Sequence, residues 1–325
     1  MQEKKKKSKW NEKKVLVSVL STRAIERSGN RKLSSFSNSA SSMLKKVKKE
    51  CDWWIAWKER NEHIPFCDEQ ITSFDGLKLV GRSFLQPDTV KKWVIVVPGF
   101  TGNKLKMLDY VQIFYKQGFN VLLVCCRGRG KSEGDHVTMG WLDRLDIVLW
   151  VNKLVITSPD SQIVLFGLSA GGAAVMMAAG EELLPNVKCV IEDCGYSSVW
   201  DLFSRQLGDR FNLSIPVVRK AADTFARSCG GLDLKKASAV EQLKKAKIPV
   251  MFIHGSEDNI VLTNMVHDCF NAAPTEKELY IVEGAGHGQA LLADPAEYIK
   301  RLFGFINKYI EDQAEKNNNA IVALE

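Results

Sequence analysis

Gly167-Leu168-Ser169-Ala170-Gly171 constrains the fold more than any other stretch of this chain, because it joins two unlike segments. Before it runs Gln162-Ile163-Val164-Leu165-Phe166, apolar and β-branched; after it comes an Ala- and Met-rich segment of helical character. A serine in a G-x-S-x-G pattern between strand and helix reads as a nucleophile elbow. Small residues are required two places either side of it, where larger side chains would strike the flanking strand and helix. Gly167 and Gly171 meet that requirement. A helix starting just after the serine offers unpaired amide hydrogens and a positive dipole end where an anionic intermediate forms. The stretch therefore points to acyl-transfer chemistry at Ser169.

The surrounding pattern predicts the architecture that such a turn needs. Strand-like runs cover residues 71–74, 77–84, 93–97, 121–126, 163–166, 187–192, 250–254 and 279–282, with helical stretches at 107–117, 141–154, 169–182, 261–273 and 296–315. Strands separated by helices predict an α/β fold, a mainly parallel central sheet flanked by helices on both faces. The first two strands, joined through Asp75-Gly76, read as a hairpin at the sheet's edge. An insertion over about 196–247 carries Val199, Phe203 and Leu207 at helical spacing and reads as a small helical cap over the site.

With 325 residues, 45% hydrophobic, the chain is long enough for one large domain with appendages. Its division is expected as a basic, flexible segment 1–42, an amphipathic helix and lead-in 43–67, the catalytic domain 68–315 and a tail 316–325. The net charge of +7 is concentrated at the start: residues 1–60 hold 17 Lys/Arg against 6 Asp/Glu, leaving 28 against 32 in the rest. The apolar run 15–20 is too short to span a membrane and ends in no cleavage site. Leu44, Val47, Cys51, Trp54 and Ile55 share one helical face opposite Lys45, Lys46, Lys48 and Lys49. Packing on the protein's own domain is the first expectation for that helix, and peripheral membrane contact the second. No nucleic-acid module accompanies the charge. Eight cysteines without zinc-like pairs or a dense framework read as reduced, buried thiols, which fits a cytoplasmic location.

A serine hydroxyl needs a general base and a group to orient it. Of the five histidines, His287 lies in Gly284-Ala285-Gly286-His287-Gly288, a flexible loop directly after the strand 279–282, and is the expected base. Asp258 follows the strand 250–254 at the same sheet edge and is the expected orienting acid; Asp193, ending the strand before, is its rival. Gly130-Lys131-Ser132 invites a phosphate-loop reading, which fails because the glycine required five residues before Gly130 is Cys125. No metal-ligand spacing appears, and no cofactor is expected.

Together these segments resemble the α/β-hydrolase superfamily over about residues 68–310, and most of all its bacterial esterase-like and peptidase-like serine hydrolases. The resemblance rests on Val97-Pro98-Gly99-Phe100-Thr101-Gly102-Asn103, Arg127-Gly128-Arg129-Gly130-Lys131-Ser132-Glu133-Gly134, the elbow, His254-Gly255-Ser256-Glu257-Asp258, Gly286-His287, and Asp193 to Trp200 leading into the cap. The order Ser, Asp, His matches that superfamily. It implies an oxyanion hole from the backbone N–H groups of Phe100 and Ala170, a small-molecule acyl substrate, and cleavage of a carboxylic ester through an acyl-enzyme. Acyl transfer, peptide cleavage and a non-catalytic binding role use the same frame and stand as alternatives. Three residues depart from the pattern: Pro98 and Arg129 stand where many relatives have His, and Cys125 where they have Asp. Arg127, Arg129 and Lys131 then read either as a basic pocket rim or as solvated surface.

Overall fold

The computed structural model describes residues 64–310, apart from 88–89, 101–103 and all of 212–231 but Pro216, Ala222 and Ala226. The basic N-terminal segment, most of the amphipathic stretch 43–67, the C-terminal tail, Cys51, Cys229 and His63 lie outside the described residues. The expectations for them rest on the sequence.

Eight strands form one sheet. They are β1 (Phe66–Thr72), β2 (Lys78–Phe84), β3 (Lys92–Val97), β4 (Asn120–Val124), β5 (Gln162–Leu168), β6 (Val187–Asp193), β7 (Val250–Gly255) and β8 (Lys277–Val282). The helices are α1 (Lys104–Lys116), α2 (Asp143–Thr157), α3 (Ala170–Ala178), α4 (Val199–Phe211), α5 (Ala239–Leu243), α6 (Asn264–Ala272), α7 (Ala290–Ala293) and α8 (Pro295–Ile306). The strand order is β1-β2-β4-β3-β5-β6-β7-β8. Strands β3 to β8 run parallel, and the β1–β2 hairpin adds an antiparallel edge beside β4. Its turn passes through Gly76 at φ +85°, a left-handed conformation that glycine adopts without a Cβ clash.

Helices on both faces explain why the central strands read as unbroken apolar runs. Successive side chains of a strand point to opposite faces, so each run divides between two cores. Ile95, Val97, Ile163, Leu165, Val250 and Phe252 pack on the side of α2, α3, α5 and α6. Val94, Val96, Val164, Phe166, Met251 and Ile253 pack on the side of α1 and α8. Helix α8 starts at Pro295, where a missing N–H is harmless, with Asp294 capping the N–H of Glu297.

The sequence misplaces some boundaries and misses two short helices. Ser169 is not helical but caps α3, which stops at Ala178 rather than at 182. Helix α8 ends at Ile306 instead of 315. Helices α5 and α7, of five and four residues, are too short to show a period. The insertion after β6 begins with α4, whose Val199, Leu202 and Phe203 are buried in the same core as α3 and α5. The apolar spacing read as the inner lining of a cap thus anchors the insertion to the domain. Leu207 lies beyond the described side chains of α4. Among the described residues no helix is long and apolar enough to cross a membrane.

Candidate active site

In a parallel sheet the carboxyl ends of all strands lie along one edge, and the register brings β3, β5 and β6 level there. Val97 pairs with Gly167, and Leu168 with Asp193. The chain then turns sharply at Ser169, which takes φ +57° and ψ −115°, a region L-residues rarely occupy. Such a conformation costs about 1–3 kcal/mol and persists only where its surroundings hold it. Here the Ser169 N–H donates to the Asp193 carbonyl at 2.7 Å, and the Ser169 carbonyl accepts from Ala173 N–H at 2.9 Å. A Cβ on Gly167 would lie 2.1 Å from the Gly171 carbonyl oxygen, and one on Gly171 would lie 2.0 Å from that of Val97. The glycine requirement inferred from the pattern is therefore a matter of backbone against backbone.

The loops after β7 and β8 are packed together in the same way. A Cβ on Gly255 would meet the Ala285 oxygen at 2.2 Å, while Glu257 N–H donates to that oxygen at 3.0 Å and Gly284 N–H to Ser256 Oγ at 2.8 Å. This contact brings Asp258 and His287 together. Asp258 Oδ1 accepts the N–H groups of Ile260 and Val261 at 2.9 and 3.0 Å, which aims Oδ2 at His287 Nδ1, 2.7 Å away. His287 Nε2 in turn lies 2.8 Å from Ser169 Oγ. The Asp258 side chain is fully enclosed, whereas His287 keeps 17% of its side-chain surface. Burial alone would raise the Asp258 carboxyl; His287 and His254 outweigh it and hold the group well below the usual carboxylate range.

The rival acid goes elsewhere. Asp193 Oδ2 accepts the hydroxyls of Tyr110 and Tyr298 at 3.0 and 2.9 Å, within the core on the α1 and α8 face. Strand alternation explains the separation, since Asp193 ends β6 with its side chain on the face away from α3. Its neighbour Glu192 points the other way, where Oε2 accepts Gly195 N–H at 2.7 Å.

For the oxyanion donors, Ala170 opens α3, whose first N–H groups have no intrahelical acceptor. Gly99 runs beside the elbow: a Cβ on it would be 3.1 Å from Ser169 Cβ, which places the Gly99–Phe100 peptide next to the serine. Pro98 removes an N–H two residues before Phe100 and leaves that of Phe100 intact.

The loop after β4 is not a basic rim. Arg127 is 2% exposed and paired with Asp146 and, through Nη1, with Asp75 of the hairpin turn at 2.9 Å. Arg129 is also buried, and only Lys131 reaches the surface. Cys125, also buried, donates its thiol to the Arg129 carbonyl at 3.0 Å.

Sequence reasoning missed a second layer behind the serine, histidine and aspartate. His254, fully buried, has Nε2 2.9 Å from the Val261 carbonyl and 3.3 Å from Asp258 Oδ2. Its position inside a strand was the available signal, since a histidine in an apolar strand needs a buried partner. Cys194, at φ +53°, brings its thiol within 4.8 Å of Asp258 and His287 donor atoms. Burial, with the Asp193, Asp258 and Glu192 carboxyls nearby, pushes that thiol well above the usual cysteine range.

Glu192 supplies a pH-dependent stability. Burial pushes its carboxyl up to about 8, against the opposing pull of His254 and Gly195 N–H. The native state thus keeps a proton that the unfolded chain has released. Stability present below about 4.5 is lost progressively as pH rises toward about 8. Asp193, raised by burial, and His254, held up by Asp258 and Glu192 despite burial, act in the same direction. Urea unfolding across pH is expected to show a decline of roughly 3–5 kcal/mol between about pH 4.5 and 8 that Glu192→Gln flattens. An equally steep decline in the variant would assign it to other groups.

Comparison with known proteins agrees with this frame. A family model described as "Alpha/beta hydrolase family" matches residues 94–301. The uncharacterized protein YqkD of Bacillus subtilis is 25% identical over 226 residues, which is 68% of this chain and 73% of YqkD. The Pyrococcus furiosus esterase Pf2001 superposes with a TM-score of 0.64 at 22% identity, over 78% of this chain and 95% of that one. The polyketide transferase GrgF of Penicillium sp. is 24% identical over 298 residues, 76% of this chain and 98% of GrgF. With the matched region spanning the sheet from β3 to α8 and every strand-end loop of the site, this chain belongs to the alpha/beta hydrolase family.

Proposed function

We propose that the protein is a serine hydrolase that cleaves a carboxylic ester through an acyl-enzyme. The observation that carries this reading is the unbroken line from Ser169 Oγ to His287 Nε2 at 2.8 Å and from His287 Nδ1 to Asp258 Oδ2 at 2.7 Å. In the first step His287 takes the Ser169 proton as Oγ attacks the ester carbonyl. The oxygen's charge falls to the N–H groups of Phe100 and Ala170. Collapse breaks the bond to the alkoxide, which leaves with the proton from His287. Water, deprotonated by the same imidazole, then releases the acid and restores Ser169. Asp258 keeps its proton off throughout: it fixes the tautomer with Nδ1–H toward itself and balances the transient imidazolium, a task suited to a carboxyl held in its ionised form.

The assignment of the acid separates cleanly in experiment. Asp258→Asn is expected to lower kcat on a short-chain p-nitrophenyl ester by about 10³–10⁴, because an amide favours the wrong tautomer. Asp193→Asn is expected to retain kcat within a few-fold and to lose thermal stability. The reverse ranking would make Asp193 the orienting group. Acyl transfer to an alcohol or amine is the second reading, favoured by the likeness to a relative named as a polyketide transferase over 98% of its length. Product analysis with an added alcohol distinguishes ester exchange from hydrolysis.

A further inference from the structure

The geometry points to Arg129 as a positioning residue that polarises the oxyanion donor of the loop after β3. This inference rests on the serine hydrolase reading above. Arg129 sits in the loop after β4, 7% exposed. Its guanidinium reaches back 29 and 30 residues to two backbone oxygens, donating from Nη1 to the Gly99 carbonyl at 3.2 Å and to the Phe100 carbonyl. It also lies 4.4 Å from the centre of the Phe100 ring. Among the described residues Arg129 makes no ion pair, in contrast to its neighbour Arg127. A buried cation held by carbonyls is costly unless those contacts are close and fixed.

The carbonyl of Gly99 and the N–H of Phe100 belong to one peptide unit. A cation on the oxygen side draws electron density through the amide and makes the N–H a stronger donor, as hydrogen bonds in a chain strengthen one another. The second bond, to the Phe100 carbonyl, fixes the next peptide plane, so the N–H direction is set from both sides. Gly99 passes so close to Ser169 that an added Cβ would lie 3.1 Å from the serine Cβ, which puts this peptide beside the serine. A neutral side chain at 129 would not supply the charge, and a lysine would supply the charge without the rigid planar guanidinium. The donor matters most once the carbonyl oxygen carries negative charge, so the effect belongs to the transition state rather than to substrate binding.

The test uses the full-length protein, a short-chain p-nitrophenyl ester and two ketone inhibitors with the same acyl chain. A trifluoromethyl ketone adds Ser169 and forms an oxyanion, whereas the methyl ketone binds as an uncharged carbonyl. Arg129→Gln is expected to lower kcat about 10–30-fold and to weaken the trifluoromethyl ketone by the same factor, with KM and methyl ketone affinity within about twofold. Arg129→Lys, which keeps the charge but not the planar guanidinium, is expected to lose about 3–10-fold in the same two quantities. Should Arg129→Gln fail to fold by its thermal transition, Arg129→Lys carries the test alone. The inference is overturned if a folded variant binds the trifluoromethyl ketone as wild type does, or if both ketones weaken equally, which marks a packing role. If wild-type protein neither turns over the ester nor takes a fluorophosphonate, the serine hydrolase reading fails instead.

Discussion

Ser169→Ala is expected to lower kcat/KM on a short-chain ester by about 10⁵–10⁶ and to abolish labelling by a fluorophosphonate probe, while the thermal midpoint stays near that of wild type. The size follows from the role proposed for Ser169. Its Oγ is the only protein atom in the scheme that bonds to the acyl carbon, so its loss leaves just the oxyanion donors and substrate positioning. His287→Ala should cost nearly as much, and the double variant little more than either, because serine and base act as a unit. Stability should change little, since alanine adopts the Ser169 backbone with the same strain, and the side chain's partner, His287 Nε2, is partly exposed. Peptide mapping of the phosphonate adduct checks the assignment directly. Full esterase activity in Ser169→Ala, or a wild type that resists the probe, would remove the proposal.

The largest effect on folding is expected at the glycines of the elbow. Gly171→Ala would put a Cβ 2.0 Å from the Val97 oxygen, and Gly167→Ala one 2.1 Å from the Gly171 oxygen. Real Cβ contacts do not reach these distances, and the atoms struck are backbone in β3 and α3, which cannot rotate away. Relief requires the elbow to open or β3 and β5 to shift against each other. A loss of about 4 kcal/mol or more is expected for each, enough to unfold a protein of ordinary stability. Gly304→Ala is the matched control. That glycine lies in α8 with nothing within 4 Å of an added Cβ, so the change should raise stability by about 0.5–1 kcal/mol. Chemical denaturation of the three variants side by side reads the contrast. Elbow variants as stable as wild type would show that the turn yields more easily than its contacts imply.

Much of this molecule is written locally. Strands buried on both faces must be apolar throughout, so β3, β5, β6 and β7 were visible as runs, and the Asp75-Gly76 turn announced the antiparallel edge. The serine was legible because its turn demands glycines at fixed offsets. His287 was found through chain order and its position after a strand. Ends of helices were less visible: α3 stops at Ala178 although the helical composition continues, and α5 and α7 are shorter than two turns.

What the sequence by itself determined is the sheet, the elbow and a short list of partners, because hydrophobic period and turn chemistry act over a few neighbouring residues. Only the tertiary structure decided which of Asp258 and Asp193 lies beside His287: Asp258 sits in the loop after β7 against the histidine loop, whereas Asp193 ends β6 with its side chain turned into the core on the α1 and α8 face. It also turned Arg127 and Arg129 from candidates for a pocket rim into buried ties, one to the hairpin and α2, the other to the loop beside Ser169. A basic side chain has the same composition whether it meets water, a carboxylate or a backbone carbonyl. Which of these it meets is settled by segments up to 52 residues away in the chain, brought alongside only when the sheet closes its register.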